Sequence, residues 1–194
     1  MPDGPTFRLL VGLGNPGRAY SDTRHNVGFM VLDRLAAALG ATFRADKNWK
    51  ADTAVAGDVF LLKPKTYMNL SGESVGEIAR FYKIEPARVL VVLDDMALPL
   101  GRLRFRERGS HGGHNGLRSI LDHLGTQDVP RLRVGIGEAP DAATGHVLGR
   151  FAVDERPLVA QSLDRAVEAV RFAQENDLPS AMNRFNTNTP TTPL

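Results

Sequence analysis

Apolar positions along the chain recur with two different periods. Short apolar, β-branched runs occur at FRLLVGL (7–13), TAVAGDVFLLKP (53–64, one strand or two), VLVVLDD (89–95) and RLRVGIG (131–137), and strict alternation occurs at GRLRFRER (101–108). These predict strands. Between them, apolar stripes at helical spacing fall on Val27, Met30, Val31 and Leu35, on Val75, Ile78, Ala79 and Tyr82, and on Leu117, Ile120, Leu121 and Leu124. Each predicts a helix with one face in the core. A longer helix is expected over 154–176, with Asp154 as N-cap and Pro157 in its first turn, and a shorter one from Ser180. Strands that alternate with helices predict an α/β fold: a single domain over residues 1–186, with a twisted, mixed but mostly parallel sheet flanked by helices. The final stretch, 187–194, is polar and broken by proline, which predicts a disordered tail.

Composition narrows the chemistry. With 194 residues and 42% hydrophobic content the chain can bury one good core, and the absence of cysteine removes disulfides, thiolate metal sites and cysteine nucleophiles. A cysteine-free chain whose first residues lack a basic segment followed by a long apolar one is expected in the cytoplasm. No run approaches the roughly 18 apolar residues of a membrane span. The formal charge is only +2, so an anionic partner would depend on where the arginines gather.

Two familiar motifs fail on spacing. Gly12, Gly14 and Gly17 match GxGxxG after a strand, but the next apolar stripe starts only near Val27, far too late for a dinucleotide loop, whose third glycine opens a helix. Asp33 falls mid-helix and Asp46 too far on to hold a ribose. Gly72-Glu73-Ser74-Val75-Gly76 matches the GxSxG nucleophile elbow, yet a loop separates it from the preceding strand, so Ser71 or Ser74 reads better as a helix cap.

The remaining polar loops carry a more consistent set. His25 ends the loop YSDTRHN, and Asp94 and Asp95 end the strand VLVVL, where ligands of open α/β sheets collect. An acid there can orient a histidine, whereas Asp95 reads better as a turn cap. Asn15, Asn69 and Asn115 sit in loops before helical segments and offer neutral donors and acceptors for an amide or an oxyanion. The glycine-rich GSHGGHNG allows close backbone approach, but its HxxH has no third ligand at zincin spacing. Alternation puts Arg102, Arg104, Arg106 and Arg108 on one strand face, and Arg131 and Arg133 repeat the pattern. Four like charges on one face want a polyanion such as a phosphate backbone. Together these residues describe a cofactor-free site in which a histidine activates water against an RNA-linked substrate.

The motifs VGLGNPG, YSDTRHNVGFMVLD, KPKTYMNLSG, VVLDDMALPLG, GSHGGHNGLRSI and RLRVGIG, in this order, resemble the bacterial-type peptidyl-tRNA hydrolase family over nearly the whole chain. The resemblance implies a monomeric α/β enzyme that hydrolyses the ester between a peptide and the 3′ end of tRNA without cofactor or metal. On that footing His25 is the base, Asp94 the acid that orients it, and Asn15 lines the catalytic centre. Asn69 and Asn115 hold the peptidyl group and the water or oxyanion. Tyr20, Met68 and His114 wall the peptide groove, and Arg104, Arg106 and Arg133 face the tRNA. One departure is Ala97, where family members often carry an acid two residues before the proline. The rival reading is a non-catalytic RNA-binding relative, which the presence of His25, Asp94 and all three asparagines disfavours.

Overall fold

The structure, a computed structural model, describes residues 6–138 and 143–187. The expected tail at 187–194 lies outside the described residues apart from Thr187. Seven strands run in chain order as β1 (Leu9–Gly12), β2 (Arg44–Asp46), β3 (Ala51–Ala56), β4 (Val59–Pro64), β5 (Val89–Asp95), β6 (Leu103–Arg106) and β7 (Arg131–Gly135). The helices are α1 (Val27–Ala38), α2 (Ser71–Phe81), α3 (Asn115–Leu124), α4 (Ala143–Leu148), α5 (Arg156–Glu175) and α6 (Leu178–Phe185).

The strands form one sheet in the order β2-β3-β4-β1-β5-β7-β6. The central four are parallel, while β2 and β3 on one side and β6 on the other pair antiparallel. The run 53–64 divides at Gly57-Asp58 into the hairpin β3–β4.

Alternation along β1 and β5 builds two cores. Leu10, Leu90 and Val92 face the layer of α1, α5 and α6, and Leu9, Val11, Val89, Val91 and Leu93 face that of α2 and α3. The apolar lining of the second layer stops at β5. Beyond it the opposite face of β7 and β6 sends Leu132, Val134, Leu103 and Phe105 into the first core, which leaves the arginines on the face that lines no apolar core.

Glycines let helices approach closely at two crossings. A Cβ on Gly28, in the first turn of α1, would lie 2.4 Å from the Val92 carbonyl oxygen and 2.5 Å from the Leu13 nitrogen, and one on Gly12 would lie 2.4 Å from the Gly28 carbonyl. Gly12 and Gly14 of the fingerprint thus serve strand-to-helix packing, while Gly17 takes a φ of 102° with open space around it. A Cβ on Gly72 would lie 2.1 Å from the Ser119 carbonyl oxygen, and Gly76 sits under the His123 ring. The apparent nucleophile elbow is the seam between α2 and α3.

Several local details differ from expectation. Helix α2 begins at Ser71 itself, so neither serine caps it: the Ser71 hydroxyl donates to the Met68 carbonyl and the Ser74 hydroxyl to that of Lys50. Helix α5 starts one residue later than predicted, with Glu155 rather than Asp154 at the N-cap position, and the Glu155 carboxylate is turned back to accept from the Ala152 N–H and from Arg24. Strand β2 carries no apolar signal at all, since Arg44, Ala45 and Asp46 form an exposed to half-buried edge. Helix α6 begins two residues before Ser180, where Asp177 accepts from the Ser180 N–H.

Candidate functional site

Loops leaving the C-terminal ends of β1, β4 and β5 meet beside the short 3-10 turn Arg24–Asn26, where β1 stands between strands reached in opposite directions. The loop after β1 carries Asn15, that after β4 carries Met68 and Asn69, and Asp94 is the last residue but one of β5. His25 comes from the turn before α1, and His114 with Asn115 from the start of α3.

Asp94 is the hub of this meeting point. Its Oδ1 lies 2.8 Å from His25 Nδ1 and 2.9 Å from His114 Nε2, with the two imidazole centroids 5.0 Å apart. His114 Nδ1 accepts the Leu117 N–H at 3.2 Å and so caps α3, which assigns the ring proton to Nε2 as donor to Asp94. The same carboxylate oxygen takes Nδ1–H from His25, leaving His25 Nε2 as the nitrogen that can accept a proton.

Asn15 is oriented with equal care. Its Oδ1 accepts the Met68 N–H at 2.8 Å, so its side-chain NH2 is the group left for the cavity. Asn26, a buried residue passed over in the sequence reading, accepts the Asn15 N–H and donates to the Asn15 carbonyl, both at 2.9 Å.

Burial alone pushes the Asp94 carboxyl up, but the charge and hydrogen bonds of His114 and His25 outweigh it and hold the group down at about 2. The ionised form therefore stabilises the fold, a contribution complete above about pH 4 and lost as pH falls through about 2. Urea unfolding should show wild-type stability dropping more steeply than that of Asp94→Asn across this window. Parallel curves would count against an ionised Asp94 as the hub.

His25, Asp94 and His114 present donor atoms within 4.8 Å of one another, the candidate metal set among the described residues. One nitrogen of each ring, His25 Nδ1 and His114 Nε2, is held by the carboxylate at hydrogen-bond length, and His114 Nδ1 is taken by the Leu117 N–H. His111 of the HxxH stands apart and accepts the Gly113 N–H.

A cavity of about 690 Å³ opens over this centre. It is lined by Asn15, Tyr20, His25, Met68, Asn69, Asp94, His114 and Asn115, so the structure gathers every residue singled out for the catalytic and peptide-binding set. Tyr67, Met96, Val147 and Leu148 add apolar wall that sequence reasoning did not single out.

The arginines divide. Arg106 and Arg133 reach the cavity and Arg104 does not, although Arg104 lies opposite Arg133 in the β6–β7 register. Arg102 turns to the Asn186 carbonyl and Arg108 pairs with Asp128 at 4.0 Å, so the strand itself presents two of the four expected. Arg133 is tied to Asp95, whose other oxygen caps the Ala97 N–H, so Asp95 does cap a turn.

Arg131 also lines the cavity and is only 2% exposed. One of its terminal nitrogens donates to the Gly109 carbonyl at 2.8 Å, while Nε and Nη2 are buried without a protein partner. Burial first, then the charges of Arg133 and Arg106, push it down to about 10. The alternation RLR was the available signal, but it shows only that Arg131 shares a face with Arg133.

Together these features define an α/β protein with a positively charged cleft at the carboxyl ends of parallel strands and a His–Asp–His cluster at its floor. The sequence model described as peptidyl-tRNA hydrolase matches residues 9–192. The peptidyl-tRNA hydrolase of Akkermansia muciniphila is 50% identical over 186 residues, covering 95% of this chain and 97% of its own, and that of Synechococcus elongatus is 49% identical over 196 residues, covering 95% and 93%. The crystal structure of peptidyl-tRNA hydrolase from Acinetobacter baumannii superposes with a TM-score of 0.89 at 38% identity, covering 96% of this chain and 97% of that one. The chain belongs to the peptidyl-tRNA hydrolase family and is an enzyme of that class.

Proposed function

We propose that this enzyme cleaves the ester between a peptide and the 3′ ribose of tRNA by activating water with His25. The observation that carries the reading is the 2.8 Å contact between His25 Nδ1 and Asp94 Oδ1, which leaves Nε2 beside the cavity as the base. Asp94 fixes the tautomer and steadies the imidazolium formed when water gives up its proton. The carbon attacked becomes tetrahedral, and its oxyanion is met by neutral NH2 donors: Asn15, held by Met68, and Asn115 at the first turn of α3. Proton return from His25 to the departing 3′ oxygen completes the cycle. No side chain needs to form a covalent intermediate.

Asn69 and Asn115 line the same cavity and grip the first amide of the peptide. A free aminoacyl group lacks that amide and leaves an asparagine unpaired, which costs about 1–3 kcal/mol. Arg106 and Arg133 receive phosphate near the 3′ end, with Arg104 further out on the same strand face. The described helices include none long and apolar enough to cross a membrane, and we read the enzyme as a cytoplasmic monomer that needs no cofactor.

Release of peptide from purified peptidyl-tRNA, with aminoacyl-tRNA as control, tests the reading; equal turnover of both, or of neither, would sink it. Binding of tRNA by the double variant Arg104→Ala, Arg106→Ala should weaken and its log K against log salt slope should flatten by about 1–2. An unchanged slope would move the nucleic-acid face elsewhere.

A further inference from the structure

A second cleft, of about 400 Å³, adjoins the first and shares Asn69 and Asn115 with it. Its other walls are Arg118, Ser119, Asp122 and His123. Asn115, Arg118, Ser119 and Asp122 stand at i, i+3, i+4 and i+7 of α3, the polar stripe opposite the buried Leu117, Ile120 and Leu121. This stripe begins at the cavity and runs away from it for two helical turns, about 10 Å. The far wall is the α2 seam, where the Gly72 N–H donates to the Ser119 hydroxyl and His123 lies against Gly76 with Nδ1 bonded to the Ser119 carbonyl.

We infer that this cleft is the subsite for the second and third residues of the peptidyl chain, counted from the ester. The inference rests on the hydrolase reading and extends it. Direction comes from the sheet: the arginines stand on β7 and β6 to one side of Asp94, whereas Asn69 follows β4 on the other. A substrate with its ester at His25 and its phosphates at Arg106 sends its peptide toward Asn69 and on into the cleft. Charge points the same way. Arg118 and Asp122 stand 3.9 Å apart and offset each other, so the cleft does not attract a polyanion, while its amide, hydroxyl and imidazole groups suit a neutral peptide backbone. Length agrees as well, since about 10 Å takes roughly three extended residues.

The test compares kcat/KM for N-acetyl-aminoacyl-tRNA, whose acyl part ends at the first residue, with that for an N-acetyl-tripeptidyl-tRNA on the same tRNA. Asp122→Trp fills the cleft from an exposed position, and the double variant Arg118→Ala, Asp122→Ala removes the charged pair from its wall without adding bulk. The tripeptidyl to aminoacyl ratio should fall about tenfold in the first, mainly through KM, and severalfold in the second. Equal losses on both substrates with a flattened salt slope would make the cleft a tRNA contact and overturn the inference. So would an unchanged ratio in both variants. A wild-type enzyme inactive on either substrate would instead overturn the hydrolase reading beneath it.

Discussion

His25→Ala should abolish peptide release while leaving tRNA affinity close to wild type. The imidazole is 14% exposed at the cavity floor, and its removal takes away the nitrogen that Asp94 holds ready for water. General-base catalysis by a placed side chain is worth about 10²- to 10⁴-fold, and the loss should fall in kcat rather than KM, because His25 takes no part in gripping amide or phosphate. The arginines proposed to receive phosphate lie on β6 and β7, outside the turn that carries His25. Single-turnover release measured beside filter binding separates the two effects. Turnover within about threefold of wild type would exclude His25 as the base.

The largest effect on stability is expected at a residue with no chemistry. In Gly28→Ala the new Cβ meets the Val92 carbonyl oxygen at 2.4 Å and the Leu13 nitrogen and carbonyl oxygen at 2.5 and 2.7 Å, all of them backbone. None is the loose end of a side chain that can swing aside. Relief requires α1 to lift from β1 and β5, and α1 follows directly on the turn that carries His25. Overpacking of this kind costs about 3 kcal/mol, at the upper end of the usual range, and in a chain of this size lowers Tm by roughly 10 °C. Gly145→Ala is the control, since nothing lies within 4 Å of its Cβ position in α4. Equal melting of the two variants would show that the close crossing carries little of the stability.

Where periodicity was strong, fold and sequence agree. The run VLVVL reads as a strand buried on both faces and is one, and the stripes at 27–35 and 117–124 lie where α1 and α3 pack. The stripe at 75–82 ends less deeply, with Tyr82 40% exposed and stacked on Phe60 at 4.4 Å. Strand β2 was illegible because an edge of three residues buries no side chain fully. Nor could sequence show the ring of partners around Asp94. His25 and Asp94 are 69 residues apart and His114 a further 20, so their shared oxygen exists only once β5 and both loops are in place. His114 lines the cavity, yet alternation and spacing carry no hint that the same ring caps α3 and bonds Asp94. The buried Arg131 was hidden for a related reason: strand parity tells which face a side chain takes, and burial there depends on the glycine-rich loop folding over it.

Arg24 precedes His25 and is almost wholly enclosed. Its guanidinium donates to both carboxylate oxygens of Glu155 and to the Ile136 carbonyl, and it lies 4.8 Å over the Phe151 ring, while its own N–H bonds to the Gly149 carbonyl. Every partner of this clamp comes from residues 136–155, later in the chain than all the side chains assigned to chemistry. During synthesis, a nascent chain that has reached Arg133 therefore holds the full chemical set without the brace that seats His25. Seating of the turn that bears His25 awaits Glu155, about forty residues after Asn115 and about twenty after Arg133.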